Sequence, residues 1–415
     1  NPFILPEGRA VEAKDIADAK AAVYVLSRIS GEGKDRRRVK GDYYLSEREA
    51  ADLFFLNEKK IPVILLLNAG GPIELTDILE NTENIKAILN ISQPGQESGY
   101  AVADILLGNC VPSAKLTATW ARRYEDCPFA EDYSYLNGNL DTEEYKEGVF
   151  VGYRYFDSFG KKPLFPFGFG LSYTEFKIEF KGIETSEKEL AVEMKVTNIG
   201  DTYAGKEVVQ IYASCPQGRL VKEFRRLAGF GKTKLLAPKE SQTMTITFPL
   251  YQLTSYEEES ASWILEPGMY GIWVGNDLNT SVLSGALELD EKAVMTACEN
   301  ICPLKEELNE IFPDAEKVQA REAAWQNEVR EKRMSVIELK ASEIPTEKVD
   351  YQPVPEELPG KAGKIVESLS VDHLALLATG DPGRAQGNAL GSAGISVPGA
   401  AAETSPCASE EPWNV

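Results

Sequence analysis

Between residues 162 and 176 the hydrophobic pattern of this chain changes period, and the change fixes two kinds of architecture in one polypeptide. Upstream, short apolar runs alternate with helix-patterned segments. Residues 21–26 are continuously apolar, residues 46–59 read as a helix with Ser46 as N-cap and Glu49 completing a capping box, and residues 62–68 and 85–91 are again strand-like. A further helix over 96–108 is ended by Gly108. Continuous apolar runs are how strands buried on both faces of a parallel sheet read, and their alternation with helices gives βαβ units. Downstream, residues 190–198, 207–212, 242–248 and 271–275 alternate with period two between turns such as 198–201 and 266–268. That is the pattern of an antiparallel β-sandwich. The expected fold class is therefore α/β plus all-β.

Charge and the rarer residues narrow the function. A formal net charge of −21 repels nucleic acid and anionic membrane, so neither is expected as a partner, whereas neutral molecules are not repelled. No window approaches the ~20 apolar residues of a membrane span. Six cysteines, Cys110, Cys127, Cys215, Cys298, Cys302 and Cys407, show no metal or redox spacing and read as reduced thiols. The expected localisation, cytoplasmic, rests on the lack of a signal-peptide pattern. One histidine, His373, lies in an amphipathic segment and reads as a helix-surface residue. Ser-His-Asp and Cys-His catalysis and His-rich zinc sites lose their imidazoles on that count, and no cofactor or metal is expected. Carboxylate chemistry remains.

The best carboxylate is Glu32. It follows the apolar run 21–26 and lies between Gly31 and Gly33, where the backbone can turn sharply or approach a ligand. Ligands of open α/β sheets gather beyond the carboxyl ends of such strands. Position alone also fits a solvated loop glutamate. Asp42 is expected to orient this loop or to contact substrate, with an ordinary turn aspartate as the alternative. Asp35 and Arg36 read as a loop ion pair, and Arg36-Arg37-Arg38 as a solvated charge run. The turn Asn68-Ala69-Gly70-Gly71-Pro72 lacks the spacing and the lysine of a phosphate-binding loop. The aromatic residues Phe150, Tyr153, Tyr155, Phe156 and Phe159 fit packing between sheet and sandwich better than sugar stacking.

Six motifs occur in order. They are residues 27–33 with Asp35-Arg36, 39–42 and 44–46; Leu65-Leu66-Leu67-Asn68 with Gly71-Pro72-Ile73-Glu74; residues 93–99; Pro112-Ser113-Ala114-Lys115-Leu116; residues 151–157; and residues 166–174. Together they resemble glycoside hydrolase family 3, over roughly residues 1–289 and more weakly at the end of the chain. The resemblance implies a retaining β-glucosidase-like hydrolase of terminal β-linked sugars, acting on small oligosaccharides or aryl glycosides, with Glu32 as acid/base. It also implies a domain-permuted order: a partial α/β sandwich domain at 1–165, a fibronectin type III-like domain at 166–290, a helical connector at 291–362, and the start of a truncated (β/α)8 barrel at 363–415, opening with a helix over 365–377.

In that family the nucleophile is a barrel aspartate, commonly followed by tryptophan. Here Trp120, Trp263, Trp273, Trp325 and Trp413 follow Thr119, Ser262, Ile272, Ala324 and Pro412, so no nucleophile is assigned. The expected alternative for the polypeptide alone is a catalytically incompetent fragment, at most a carbohydrate-binding or structural module. The opening Asn1-Pro2-Phe3 reads as the interior of a longer protein.

Overall fold

The computed structural model describes residues 9–29, 36–132, 138–139, 142, 144–304, 306, 308–351, 360–378, 380–381 and 403–404. They fall into two units, a smaller one within Asn1–Ile73, Ile78–Pro94 and Asp350–Val415, and a larger one within Glu74–Asp77 and Gly95–Val349.

In the smaller unit, β1 (Ala22–Ser27), β2 (Val63–Asn68) and β3 (Ile85–Asn90) form a parallel sheet in the order β1-β2-β3. Ala22 pairs with Val63 and Ser27 with Asn68, so the carboxyl ends of β1 and β2 are level. Between them runs α1 (Glu47–Glu58), with Ser46 and Glu49 in the expected capping box. Leu26, Leu53, Leu56, Val63, Leu65 and Leu67 are each buried. Tyr24 donates its hydroxyl to Asp52 of α1 at 3.2 Å. The opposite face of β1 differs from expectation. Val23 and Val25 are about half exposed, because β1 is an edge strand and, among the described residues, only one of its faces is covered.

The larger unit includes the first two residues of α2 (Thr76–Asn81), α3 (Ser98–Leu107), ended by Gly108 in the left-handed region at φ 76°, and α4 (Tyr153–Ser158). Its sandwich then follows. One sheet is β4 (Phe176–Thr185), β5 (Glu189–Asn198) and β8 (Ser241–Pro249), in the order β4-β5-β8. The second contains β6 (Val208–Ser214), β7 (Arg226–Lys232), β11 (Gly268–Gly275) and β12 (Val282–Leu289); β9 (Ser255–Glu257), β10 (Ser262–Leu265) and β13 (Ala293–Ala297) lie in a third. The period-two reading is visible on β5, where Leu190, Val192, Met194 and Val196 are fully buried while Glu189 and Glu193 face water. Their side chains join Ile211, Ile272 and Leu287 in one continuous core.

Of residues 291–362, expected as a connector, the stretch from β13 to residue 348 instead builds onto this sandwich. After β13 come α5 (Ala315–Glu331), β14 (Val336–Leu339) and β15 (Glu347–Lys348). β14 pairs in parallel with β12, and β15 with β13. The physical reason is that β11 and β12 are apolar on both faces. Met269, Leu283 and Ala286 need a cover, and Trp325 and Val329 of α5 supply it. The helix expected over 365–377 is two helices, α6 (Gly360–Ser368) and α7 (Val371–Ala378). Ser370 interrupts them and accepts the His373 N–H at 3.2 Å as the start of α7. Short β16 (Gly380–Asp381) and β17 (Glu403–Thr404) pair antiparallel. Among the described residues no helix is long and apolar enough to cross a membrane.

Candidate active site

Glu32 lies outside the described residues, with Gly31, Gly33 and Asp35; what flanks it is defined. Arg28 follows β1 directly, and its side chain is buried. A buried guanidinium is tolerated only when its charge and donors are matched. Here all five N–H groups find acceptors: Nη1 and Nη2 make a bidentate pair with Glu49 at 2.7 and 2.8 Å, Nη1 also donates to the Ser27 carbonyl at 2.8 Å, Nε to the Asp42 carbonyl at 2.6 Å, and Nη2 to the Tyr44 carbonyl at 3.3 Å. Glu49 is shared with the helix cap, accepting the Ser46 N–H at 2.7 Å.

Arg36 resumes the chain after residues 30–35. It donates Nε to Asp42 Oδ1 at 2.8 Å and Nη2 to the Asp42 carbonyl at 2.6 Å, and Nη1 to the carbonyls of Gly71 and Pro72 at 3.1 and 2.7 Å. Contrary to the expectation of a solvated charge run at 36–38, the Arg36 side chain is largely buried, drawn in by four oxygen acceptors. Among the described residues it pairs with Asp42; the Asp35 of the expected loop ion pair lies outside them. The turn after β2 thus offers carbonyl oxygens to a cation, the opposite polarity from an anion cradle.

Asp42 follows Gly41, whose φ of +84° sets the turn. Its Oδ2 accepts the Arg37 N–H at 2.7 Å, so both carboxylate oxygens are engaged inside the loop. Burial raises its pKa, but the Arg37 N–H and the Arg36 guanidinium outweigh that and hold it below the ordinary aspartate value. For Glu49 burial again raises, and Arg28 and the Ser46 N–H again win, leaving it lowered. Neither group suits proton donation near neutrality. Both are held as anions, which fits anchoring rather than acid/base work.

Sequence reasoning singled out Asp42 but missed Arg28 and Glu49. The signal was present: a lone arginine directly after an apolar strand must find a partner if the strand is buried, and Glu49 had been used only as a cap. The aromatic run packs within the larger unit. Phe150, Tyr155 and Phe156 form a buried cluster, and Tyr153 stacks on Phe167 with ring centroids 4.6 Å apart while its hydroxyl accepts the Leu227 N–H at 2.8 Å. A recess of about 240 Å³ in the larger unit is lined by Tyr153, Asp157, Lys161 and Arg321. Its one carboxylate, Asp157, already accepts Arg225 on both oxygens at 2.8 and 2.9 Å.

Comparison with known proteins fits this arrangement. Residues 6–173 match the glycosyl hydrolase family 3 C-terminal domain, and residues 207–278 match the fibronectin type III-like domain. A β-glucosidase of Ruminococcus albus is 36% identical over 297 residues, covering 70% of this chain and 30% of the relative. β-Glucosidase A of Butyrivibrio fibrisolvens is 35% identical over 341 residues, covering 71% of this chain and 40% of the relative. The chain therefore spans well under half the length of these relatives. Among solved structures, β-glucosidase 3B of Thermotoga neapolitana in complex with α-D-glucose is similar at TM-score 0.64 and 37% identity, over 70% of this chain and 41% of that one.

Proposed function

Because this chain belongs to glycoside hydrolase family 3, joining that family's C-terminal domain to a fibronectin type III-like domain, we propose that it forms part of a retaining β-glucosidase-like hydrolase of terminal β-linked sugars, with Glu32 as acid/base. The observation that carries this reading is the clamp: the ends of the segment bearing Glu32 are anchored at the carboxyl edge of a parallel sheet, where α/β sheets do their chemistry. Double displacement needs two carboxyl groups about 5–5.5 Å apart, one attacking the anomeric carbon and the other protonating the leaving oxygen. Glu32 takes the second role, and the nucleophile comes from a barrel aspartate not found among the residues of this chain. Small oligosaccharides or aryl glycosides are the substrate class. The described cysteines are free thiols, which supports a cytoplasmic setting.

In full-length enzyme, Glu32→Ala should lower kcat/KM for an alkyl β-glucoside by ~100-fold or more, and azide should speed breakdown of the glycosyl-enzyme formed from an activated substrate. Undiminished turnover of the alkyl glucoside would reject the assignment. The absence of an Asp-Trp pair favours a second statement, that the 415-residue polypeptide alone is inactive. Purified by itself it should release no aryl alcohol from an aryl β-glucoside, and turnover above the buffer rate would overturn this.

A further inference from the structure

We infer that the recess beside α4 binds a phosphoryl group, free or carried on a small sugar, an assignment independent of the role given to Glu32. Its volume of about 240 Å³ lies below the ~300–1,000 Å³ of sites for drug-sized ligands, which limits the occupant to a small molecule. In charge the lining is the opposite of the chain as a whole. The chain carries a formal net charge of −21, yet here Lys161, Lys162 and Arg321 stand against a single carboxylate, Asp157, leaving two positive charges in excess.

The protein answers these cations poorly. Asp157 gives both oxygens to Arg225 at 2.8 and 2.9 Å, and Arg321 Nη2 reaches Oδ1 only at 3.5 Å. An aspartate shared by two arginines neutralises one of them. Neutral groups hold the rest of Arg321: Nη1 donates to the Asp157 carbonyl at 2.6 Å, and the guanidinium lies 3.5 Å from the centre of the Phe224 ring. Its Nε finds no acceptor among the described residues. Burial, foremost, and the charge of Arg225 hold it below the ordinary arginine value in spite of Asp157. Lys161 makes one long hydrogen bond, to the Asp126 carbonyl at 3.4 Å, and neither lysine pairs with a carboxylate among the described residues. Thr119, in the same lining, has a buried hydroxyl oxygen with no hydrogen-bond partner.

A phosphoryl group matches this set in charge and in geometry. It carries about −1.5 to −2 at neutral pH, close to the excess of the lining, whereas a carboxylate supplies half as much. Its acceptor oxygens suit the planar fork of Arg321, whose Nε is unused, together with point contacts from the two lysines. Tyr153, Phe156 and Phe167 make much of the remaining wall, and Asn279 adds an amide. Rings with a few polar groups are what the sugar of a sugar phosphate would meet.

Calorimetric titration of the full-length enzyme tests this, at constant ionic strength and with saturating glucose so that sites for the neutral sugar are filled. Inorganic phosphate or glucose 6-phosphate should bind at one site below ~10 mM. Tighter binding of glucose 6-phosphate assigns the phosphoryl group to a sugar, and equal or weaker binding of it assigns free phosphate. Lys161→Gln and Lys162→Gln change exposed side chains, and each should weaken binding by roughly 3- to 10-fold. Lys181→Gln, on β4 and outside the lining, should leave it within about twofold. No saturable binding of either probe, or unchanged affinity in both lining variants, would overturn the site. So would an equal loss in Lys181→Gln, the mark of general charge rather than of this recess.

Discussion

In the sandwich, Lys222 and Glu266 form an ion pair with both side chains inside the protein, and Leu287, Ile272 and Val192 fill a core shared by several sheets. In the smaller unit a thin, three-stranded sheet leaves Val23 and Val25 half exposed, and the buried Arg28 with the partly buried Arg36, Asp42 and Glu49 gathers at the strand ends. Both regions bury ions, but to different effect. The sandwich encloses its pair to complete a rigid body, whereas the smaller unit uses its pairs to fix the feet of one short segment. On the proposed reading of Glu32, the first arrangement serves stability and the second serves geometry, a contrast that local stability measurements can test.

The sharpest test of that contrast is Lys222→Met. Glu266 also accepts the Arg219 and Leu220 N–H groups at 2.7 and 3.2 Å, so loss of the lysine leaves a buried carboxylate with hydrogen bonds but no counter-charge. The expected cost is about 3–5 kcal/mol. A shift in the denaturation midpoint measures it, and Lys222→Met combined with Glu266→Leu should restore much of the loss. A single-variant cost below about 1 kcal/mol would mean that the pair is not isolated from water as its burial implies.

Next in size is a matched pair of truncations. Leu287→Ala and Leu65→Ala remove side chains that are both fully buried. Such changes cost about 2–5 kcal/mol, with the position in that range set by how far the surroundings collapse. Leu287, walled by several strands, should fall near the top, and Leu65, in the thinner sheet, near the bottom. Hydrogen exchange read separately over the two units would show it, and the reverse order would break the contrast.

How much of this was legible in the sequence follows the same division. Local signals carried the strands of the parallel sheet, the Ser46 cap, the Gly108 terminus and the alternation on β5, because each is set by residues a few positions apart. The misread parts depend on distant partners. Nothing local in residues 315–331 says that Trp325 must cover β11, 50 residues upstream, and a charged helical pattern there looked like a connector. Arg36 looked solvated for the same reason, since its acceptors at Gly71 and Pro72 are brought to it only by the level register of β1 and β2. The family motifs pointed to Glu32, but the anchors of its loop became visible only with coordinates.

A smaller effect should come from Ser46→Ala. Its hydroxyl accepts the Glu49 N–H at 3.1 Å, and N-cap losses cost about 1 kcal/mol. Glu49 joins the cap to Arg28, so this change should also reduce kcat/KM for an alkyl glucoside in full-length enzyme by a few fold, about 2- to 5-fold, with less effect on the dinitrophenyl substrate. Loss of stability with no change in leaving-group selectivity would uncouple the helix cap from the clamp.

The subtlest expected difference is in pH dependence, and its sign follows from the clamp. Burial raises Asp42 and Glu49, but their N–H and guanidinium partners more than offset it, so both titrate lower in the folded protein than in the unfolded chain. Between the two values the unfolded state binds more protons, and stability rises with pH. Their contribution is therefore complete above the unfolded carboxylate range of about 4 and disappears as pH falls through the lower, folded values. Glu74 in the larger unit runs the other way: burial, foremost, with the neighbouring charges of Glu125 and Asp77, raises it despite the Tyr124 N–H and Arg123, so deprotonation above its unfolded value works against the fold. Denaturation of wild type and Glu49→Gln from pH 3.5 to 6, a window chosen to bracket the ~4 midpoint, should give stability curves that converge toward the acid end and separate above it. Curves that stay parallel throughout would show that Glu49 is not held as an anion by Arg28, and the electrostatic half of the contrast would fail.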